Sequence, residues 1–414
     1  MSDETSLEIT RLGNEVGGIA SGRNVKTVFV RGALPGDIVR CRIKREKKGW
    51  VEAELLEVLV KSPHRREPFC SYFGECGGCS LQNLDYSKQL FWKRKWIEKA
   101  LARAGIQYAD DIMNDVIPSP LISGYRNRVS FDIVSGKPGL HRYRGDTMPV
   151  EACPLLNRKG QAVFKKLLSG KLNGYRRVSV RASERTGEAM IELSGPPGAE
   201  LTRIIDADII AWKEKEYWKS IPKGAMLHES LGKLTCSIKP GSFFQVNTSS
   251  AETIISIVTG LCDRDGQILD LYGGCGTFAL PLASAGRKVI SVELNPDSSA
   301  SGRDSAARMG IEGVTFLSAR TRHYLLETIK SRQPWNTVIA DPPRAGLGIR
   351  VSRLLRRVNS KRILYVSCNP FSLARDLGVI CDGGWAIAGL QPVDMFPQTD
   401  HVETIVELKR KDNQ

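Results

Sequence analysis

Nowhere in the 414 residues does an apolar run approach the roughly 18 that a membrane-crossing helix needs. The opening "MSDETSLEITRLG" lacks the basic start and apolar core of a signal peptide. No internal repeat and no low-complexity tail is found. These absences lead to the expectation of a cytoplasmic protein without membrane partners. In that reducing compartment the ten cysteines are not expected as disulfides, so clustered ones should be metal ligands or catalysts. Acidic residues are also short: 45 Asp and Glu face 60 Lys and Arg, for a formal charge of +15. Residues 121–190 hold 14 Lys or Arg against 5 Asp or Glu, so this stretch supplies +9 of the +15. Such a local surplus argues for a polyanionic partner, namely nucleic acid. With 41% hydrophobic residues the chain is not disordered, and it is long enough for two or three domains with cores.

Residues 6 to about 60 alternate apolar and polar positions between Gly and Pro punctuation, as the short strands of a small β-barrel do. The hinge "SPHRREPFC" follows, and residues 84–104 space Leu84, Leu90, Trp92, Trp96 and Ala100 as a helix would. From about 125 to 240, strand-like pieces such as "RNRVSFDIV", "RRVSVRA" and "EAMIELSG" lie in a basic background, read as a central α+β domain. Beyond 245, "QILDLYGG", "KVISVEL", "GVTFL", "NTVIADPP", "RILYVSC" and "HVETIVELKR" alternate with helical stretches. That alternation predicts right-handed βαβ units and a parallel, Rossmann-like sheet.

Three constellations carry chemistry. In "CSYFGECGGC", Cys70, Cys76 and Cys79 lie within ten residues of a Gly-rich loop, and Cys153 of "EACPLL" offers a fourth thiol. All-sulfur ligation suits zinc or an iron–sulfur cluster, and the three-plus-one spacing fits a 4Fe-4S cluster better. In "ILDLYGGCGTFALPLA" a strand runs into Gly273, Gly274 and Gly276, and Glu293 lies 20 residues beyond Gly273, at the tip of the next strand. A strict Gly-x-Gly-x-x-Gly is missing, which disfavours a dinucleotide. S-adenosylmethionine has no phosphate and needs only the tight turn and an acid for its ribose hydroxyls. The third constellation pairs Asp341 of "IADPPRAGLG" with Cys368 of "RILYVSCNPFSLARDL", each at a strand end on the edge where open sheets bind ligands. The Asn369-Pro370 pair breaks the strand, and Ser372 is placed to start the following helix.

The segments "DPPRAGLG", "YVSCNPFSLARDL", "SFFQVN" and "DMFPQTDHVETIVEL" together resemble the RNA uracil-5 methyltransferase family. "LGNEVGGIASG…VFVRGALPGDIV" is similar to a TRAM domain, and the four cysteines match the family's 4Fe-4S site. The resemblance implies three domains: a TRAM-like, RNA-binding β-barrel over 1–62, a central α+β domain with the cluster over 63–240, and a Rossmann-like class I methyltransferase domain over 241–414. It implies an S-adenosylmethionine-dependent enzyme that forms 5-methyluridine in RNA. The combination of barrel and cluster resembles the enzymes of 23S rRNA more than the shorter tRNA branch, and a monomer is expected.

Carbon 5 of uracil is a poor nucleophile until a thiolate adds to carbon 6. The resemblance gives that thiolate to Cys368, with the helix N-terminus and Arg375 expected to favour its ionisation. Glu403 of "HVET" is then the base that removes the proton on carbon 5. Gln245, Tyr272, Gly274, Thr277, Glu293 and Asp341 fall at the cofactor, and Asp341 also suits the uracil edge. Phe243 and Phe244 suit either an extruded base or the core. The chain departs from the family at Gly273, where a cysteine is common, and at Thr277 and Arg320, where asparagines occur. RNA cytosine-5 methyltransferases carry a second cysteine in the Asp-Pro motif, and "DPPR" has none. A non-catalytic RNA-binding platform would make Cys368, Asp341 and Glu403 coincidental. An iron–sulfur redox protein would want a flavin or second redox motif, which is missing.

Overall fold

The computed structural model describes residues 4–21, 27–109 and 111–411. Its contacts divide the chain into two compact units. One comprises Met1–Glu98, His141–Asp146 and Phe396–Asp400, and the other Lys99–Leu140, Thr147–Met395 and His401–Gln414.

In the first unit, strands Glu4–Glu8, Arg11–Gly13, Gly17–Ser21, Thr27–Val30, Ile38–Glu46 and Trp50–Val60 form one six-stranded sheet. Alternation along these strands turns Val28, Val30, Val39, Cys41, Val51 and Ala53 into a shared core with Ile9, Ala20 and Ala33. The buried Asp37 carboxylate accepts the backbone N–H groups of Leu34 at 2.7 Å and Ser62 at 2.8 Å, and it pairs with Arg65. The helix expected over 84–104 spans Tyr86–Arg103, and its Trp96 is buried beside Leu12, Leu34, Leu81 and Leu84.

The second unit holds a mixed seven-stranded sheet that includes Arg128–Val134, Arg177–Ala182 and Ala189–Leu193, three strands legible in the sequence. Helix Arg158–Leu168, which the sequence reading did not single out, is capped by Asn157, whose side chain accepts the Gly160 N–H. A hairpin, Leu227–Leu231 with Leu234–Ile238, leads on to helix Thr248–Leu261.

A further seven-stranded sheet follows: β1 Gln267–Leu271, β2 Lys288–Glu293, β3 Val314–Ser318, β4 Trp335–Ala340, β5 Ser360–Ser367, β6 Trp385–Val393 and β7 Glu403–Arg410. Their spatial order is β3-β2-β1-β4-β5-β7-β6. The first five strands are parallel, as the helical spacing predicts. β7 is antiparallel to both β5 and β6. It returns from β6 through a loop rather than a helix, so it reverses direction, and it enters the sheet between two strands already in place. Local periodicity reports the strand but not this reversal. The inner strands are apolar runs, with Leu269, Val338, Ile363, Leu364 and Val406 fully buried, as expected of a sheet covered on both faces.

Candidate active site

The C-terminal ends of β1, β2, β4 and β5 share one edge, and the predicted residues of the second unit gather along it. After β1, Tyr272 takes a left-handed conformation with φ 62°, and Gly274 and Gly276 follow at φ 55° and 91°. Gly273 is required by space: a Cβ there would lie 2.0 Å from Ser291 Oγ and 2.6 Å from Asp270 Oδ2. A Cβ at Gly274 would meet nothing within 4 Å, so the turn opens a backbone-lined cradle. Gly274 N–H donates to Glu293 Oε2 at 3.2 Å, and Glu293 Oε1 accepts the Asn295 N–H at 2.7 Å. The acid ending β2 is thereby fixed across the turn after β1. Thr277 lies half-buried at the end of that turn. The Tyr272 hydroxyl is pushed above its ordinary range by burial.

Behind the turn lies Asp270, the penultimate residue of β1. It is fully buried and accepts from Ser291 Oγ at 3.2 Å, and burial pushes its carboxyl up to about 8. Gln245 reaches the same edge from the loop before helix Thr248–Leu261, and its Nε2 donates to Asp341 Oδ2 at 3.3 Å. The Asp341 N–H donates to Leu271 O at 3.3 Å, tying the end of β4 to the end of β1.

Ser367 of β5 pairs with Thr404 of the antiparallel β7. The next step outward on that register sets Cys368 opposite Glu403, which itself pairs with Val393 of β6. Glu403 is 5% exposed, and burial, followed by the nearby Asp341 charge, pushes its carboxyl well up. Burial raises Asp341 to about 7. The Cys368 thiol is pushed up to about 12 by burial, then by Glu403 and Asp341, with Arg344 acting in the opposite sense. Nucleophile candidate and carboxyls thus form one electrostatic group in which few negative charges coexist.

Two expectations about Cys368 change. Arg375 does not act on the thiol: its Nε donates to Asp376 Oδ1 at 2.9 Å and its Nη2 to Ala345 O at 2.8 Å. The opposing cation is Arg344 of the "DPPR" motif, a residue the sequence reading passed over although it lies three positions from Asp341. The helix after Cys368 begins at Pro370, and Asn369 caps it by accepting the Phe371 N–H at 3.0 Å. Ser372 instead donates to Arg344 O at 3.1 Å, holding the "DPPR" loop beside the helix start. Of the two aromatics, Phe244 is core at 1% exposure and Phe243 stands out at 62%.

The remaining predicted ligands are sulfur. Cys70, Cys76 and Cys79 occupy a turn-rich segment of the first unit, where Cys76 bridges to Arg142 and its Sγ accepts the Gly78 N–H at 3.4 Å. Cys153 belongs to the second unit, just after strand Thr147–Pro149. Among the described residues, no group of three or more His, Cys, Asp or Glu is placed to hold a metal ion. The donor chemistry of the four thiols suits a 4Fe-4S site. Among the described residues, no helix is long and apolar enough to cross a membrane.

A sheet of this strand order, with a glycine turn after its first strand and an acid closing it from the second, has the class I architecture of S-adenosylmethionine-dependent methyltransferases. The cradle fits that cofactor, since it offers open backbone and a carboxylate. A tRNA (uracil-5-)-methyltransferase family model matches residues 232–411, and a TRAM domain model matches residues 4–56. Uncharacterized RNA methyltransferases of Gloeobacter violaceus and Synechocystis sp. are each 32% identical to the chain. They match over 98% and 97% of it and over 96% and 95% of their own lengths. The solved structure of Pyrococcus abyssi tRNA (uracil-54, C5)-methyltransferase in complex with S-adenosyl-L-homocysteine is 28% identical. It covers 97% of this chain and 99% of its own, with a TM-score of 0.78. The chain belongs to the RNA uracil-5 methyltransferase family: it is an S-adenosylmethionine-dependent enzyme acting on RNA, with an N-terminal TRAM domain.

Proposed function

We propose that the enzyme makes 5-methyluridine by addition of Cys368 to carbon 6 of a uracil, followed by proton removal from carbon 5 by Glu403. The observation that carries this reading is the antiparallel register that faces Cys368 with Glu403, beside Asp341 and at the same edge as the glycine turn. In the free protein the thiol is held protonated. Binding of the base opposite Arg344 favours the thiolate, the thiol proton leaving to solvent, because the cation offsets the charge with which Asp341 and Glu403 oppose ionisation. Addition forms the S–C6 bond and places the electron pair on the C4 oxygen and carbon 5. S-adenosylmethionine, which Tyr272, Gly274, Thr277, Glu293 and Gln245 would hold, would supply the methyl group: carbon 5 forms the new C–C bond as the sulfonium S–CH3 bond breaks and S-adenosylhomocysteine leaves. The Glu403 carboxylate next accepts the proton on carbon 5, and the returning pair expels the Cys368 thiolate and restores the ring. Asp341, fixed by Gln245, holds the imide edge of the base.

For the substrate we propose 23S rRNA, on the resemblance to enzymes that combine a TRAM domain with four such cysteines. The Pyrococcus abyssi structure, alike over nearly the whole length, favours tRNA as a second reading. The four cysteines are proposed to hold a 4Fe-4S cluster on their donor chemistry alone, with no role in the reaction. Iron content and broad visible absorbance of anaerobically purified protein test that assignment, and colourless, iron-free protein overturns it. A cytoplasmic, monomeric enzyme completes the reading.

The deciding experiment incubates the protein with labelled S-adenosylmethionine and, separately, unmodified 23S rRNA and tRNA, then maps 5-methyluridine. Label at one rRNA uridine, absent with Cys368→Ala, is the expected result. Label in tRNA alone keeps the chemistry and replaces the substrate. Label surviving in Cys368→Ala removes the cysteine from its role.

A further inference from the structure

The loop Gly241–Gln245 has no regular structure, yet its backbone is held at four points by side chains from other elements. Gly241 N–H donates to Glu192 Oε1 at 2.7 Å. Ser242 O accepts from Arg181 Nη2 at 3.0 Å, Phe243 O from Cys275 Sγ at 3.3 Å and Gln245 O from Asn127 Nδ2 at 2.9 Å. From this frame the Phe243 ring projects outward and the Gln245 amide reaches Asp341.

Arg181 is the costly member. It is 1% exposed, and its Nε and Nη1 have no hydrogen-bond partner among the described residues. It also stands directly opposite Arg128 in the antiparallel register of strands Arg177–Ala182 and Arg128–Val134. The buried Glu192 lies nearby, but its oxygens already serve Arg128 and the Gly241 N–H. Unmet buried donors are costly, and an apolar side chain of similar length would leave none. Packing alone would therefore be served by methionine. What the guanidinium adds is a grip on the carbonyl next to the one exposed phenylalanine of the loop. Such expense concentrates where geometry is needed for function.

We propose that Arg181, seated beside Glu192, is a positioning residue for methyl transfer: it sets the Gly241–Gln245 loop so that Gln245 meets Asp341 and Phe243 faces the base. This rests on the function argued above. The test compares wild type, Arg181→Met and Arg181→Lys as full chains. For Arg181→Met the expected results are a melting temperature equal to or above wild type, RNA affinity within about threefold, and transfer measured at saturating cofactor, since Gln245 is also proposed to touch the cofactor. Single-turnover transfer should be slower on the order of 100-fold, the cost of a misplaced reacting geometry. Amide exchange across residues 241–246 should quicken, and Arg181→Lys should recover part of both effects. Unchanged transfer with unchanged exchange overturns the proposal, as does a loss of rate fully matched by lost cofactor affinity. Should Arg181→Met not fold, Glu192→Gln is read by the same two measurements. If wild-type protein forms no 5-methyluridine the functional reading fails, and the exchange rates still decide whether Arg181 holds the loop.

Discussion

Two stretches of the same sheet edge are built on opposite principles. The turn after β1 is a site made of backbone, in which three glycines clear a space and one carboxylate is pinned by an amide N–H. The edge after β5 is made of side chains: a thiol and two carboxyls sit where burial disfavours the charge of each. The first is sensitive to atoms and indifferent to charge. The second is sensitive to charge, because Glu403 and Asp341 both oppose ionisation of the thiol. The contrast suits the proposed reaction, in which a methyl donor only needs to be held beside a base that is attacked and then deprotonated.

Substitutions break this contrast in order of effect. Glu403→Gln keeps the shape of the charged edge and removes its base, so turnover should fall about 10²- to 10⁴-fold. Because addition and methyl transfer precede that step, a covalent protein–RNA species should accumulate on denaturing gels; turnover lost without that species would place the failure earlier. Gly273→Ala should act in the opposite region. Its Cβ collides with Ser291 and Asp270, costing roughly 1–3 kcal/mol and at least about tenfold in cofactor affinity by calorimetry. Alkylation of Cys368 should be unaltered in that variant.

Arg344→Met sharpens the electrostatic half. Removing a cation that lowers the Cys368 thiol raises it further, so iodoacetamide labelling at pH 8–9 should slow several-fold. Glu403→Gln should speed the same labelling, and equal rates in the two variants would show that the edge is not charge-coupled. Asp270→Asn is read in stability rather than in activity. The folded-state carboxyl of Asp270 is raised to about 8, so its contribution to stability is full below the ordinary carboxyl range and is lost as pH rises through about 8. Urea unfolding of wild type should weaken across that window relative to the variant, with the largest difference above pH 8.

How far the sequence could be read follows the range of the forces involved. Strands β1 to β5 are short β-branched runs bounded by Gly, Pro and Asn, which are local signals, and all five appear where those signals lie. β6 was missed because "WAIAGLQPV" mixes Gly, Gln and Pro into the run. The direction of β7 is a matter of pairing, which no local pattern encodes. Side-chain direction was equally hidden. Arg375 is the basic neighbour of Cys368 in the chain, but it turns to Asp376 and Ala345, and the cation acting on the thiol is Arg344, much farther away in sequence. Phe243 and Phe244 are identical on paper, and the irregular loop buries only the second. The cysteines differ again: residue type suggested their use, and the geometry of the described residues assembles no metal group from them.

The insertion of β7 between β5 and β6 also bears on when the enzyme comes into being. Chains emerge from synthesis N-terminal end first, and this interior strand is made after both of its neighbours. Until it arrives, β5 and β6 have no partner at the position it fills, and Cys368 has no carboxyl opposite it. A nascent or truncated chain ending before Glu403 would carry the thiol, the glycine turn and the RNA-binding TRAM domain without the carboxyl proposed to take the proton from carbon 5. On that proposal, placing the carboxyl on the last-laid strand of the sheet makes completion of the fold and competence to turn over the same event.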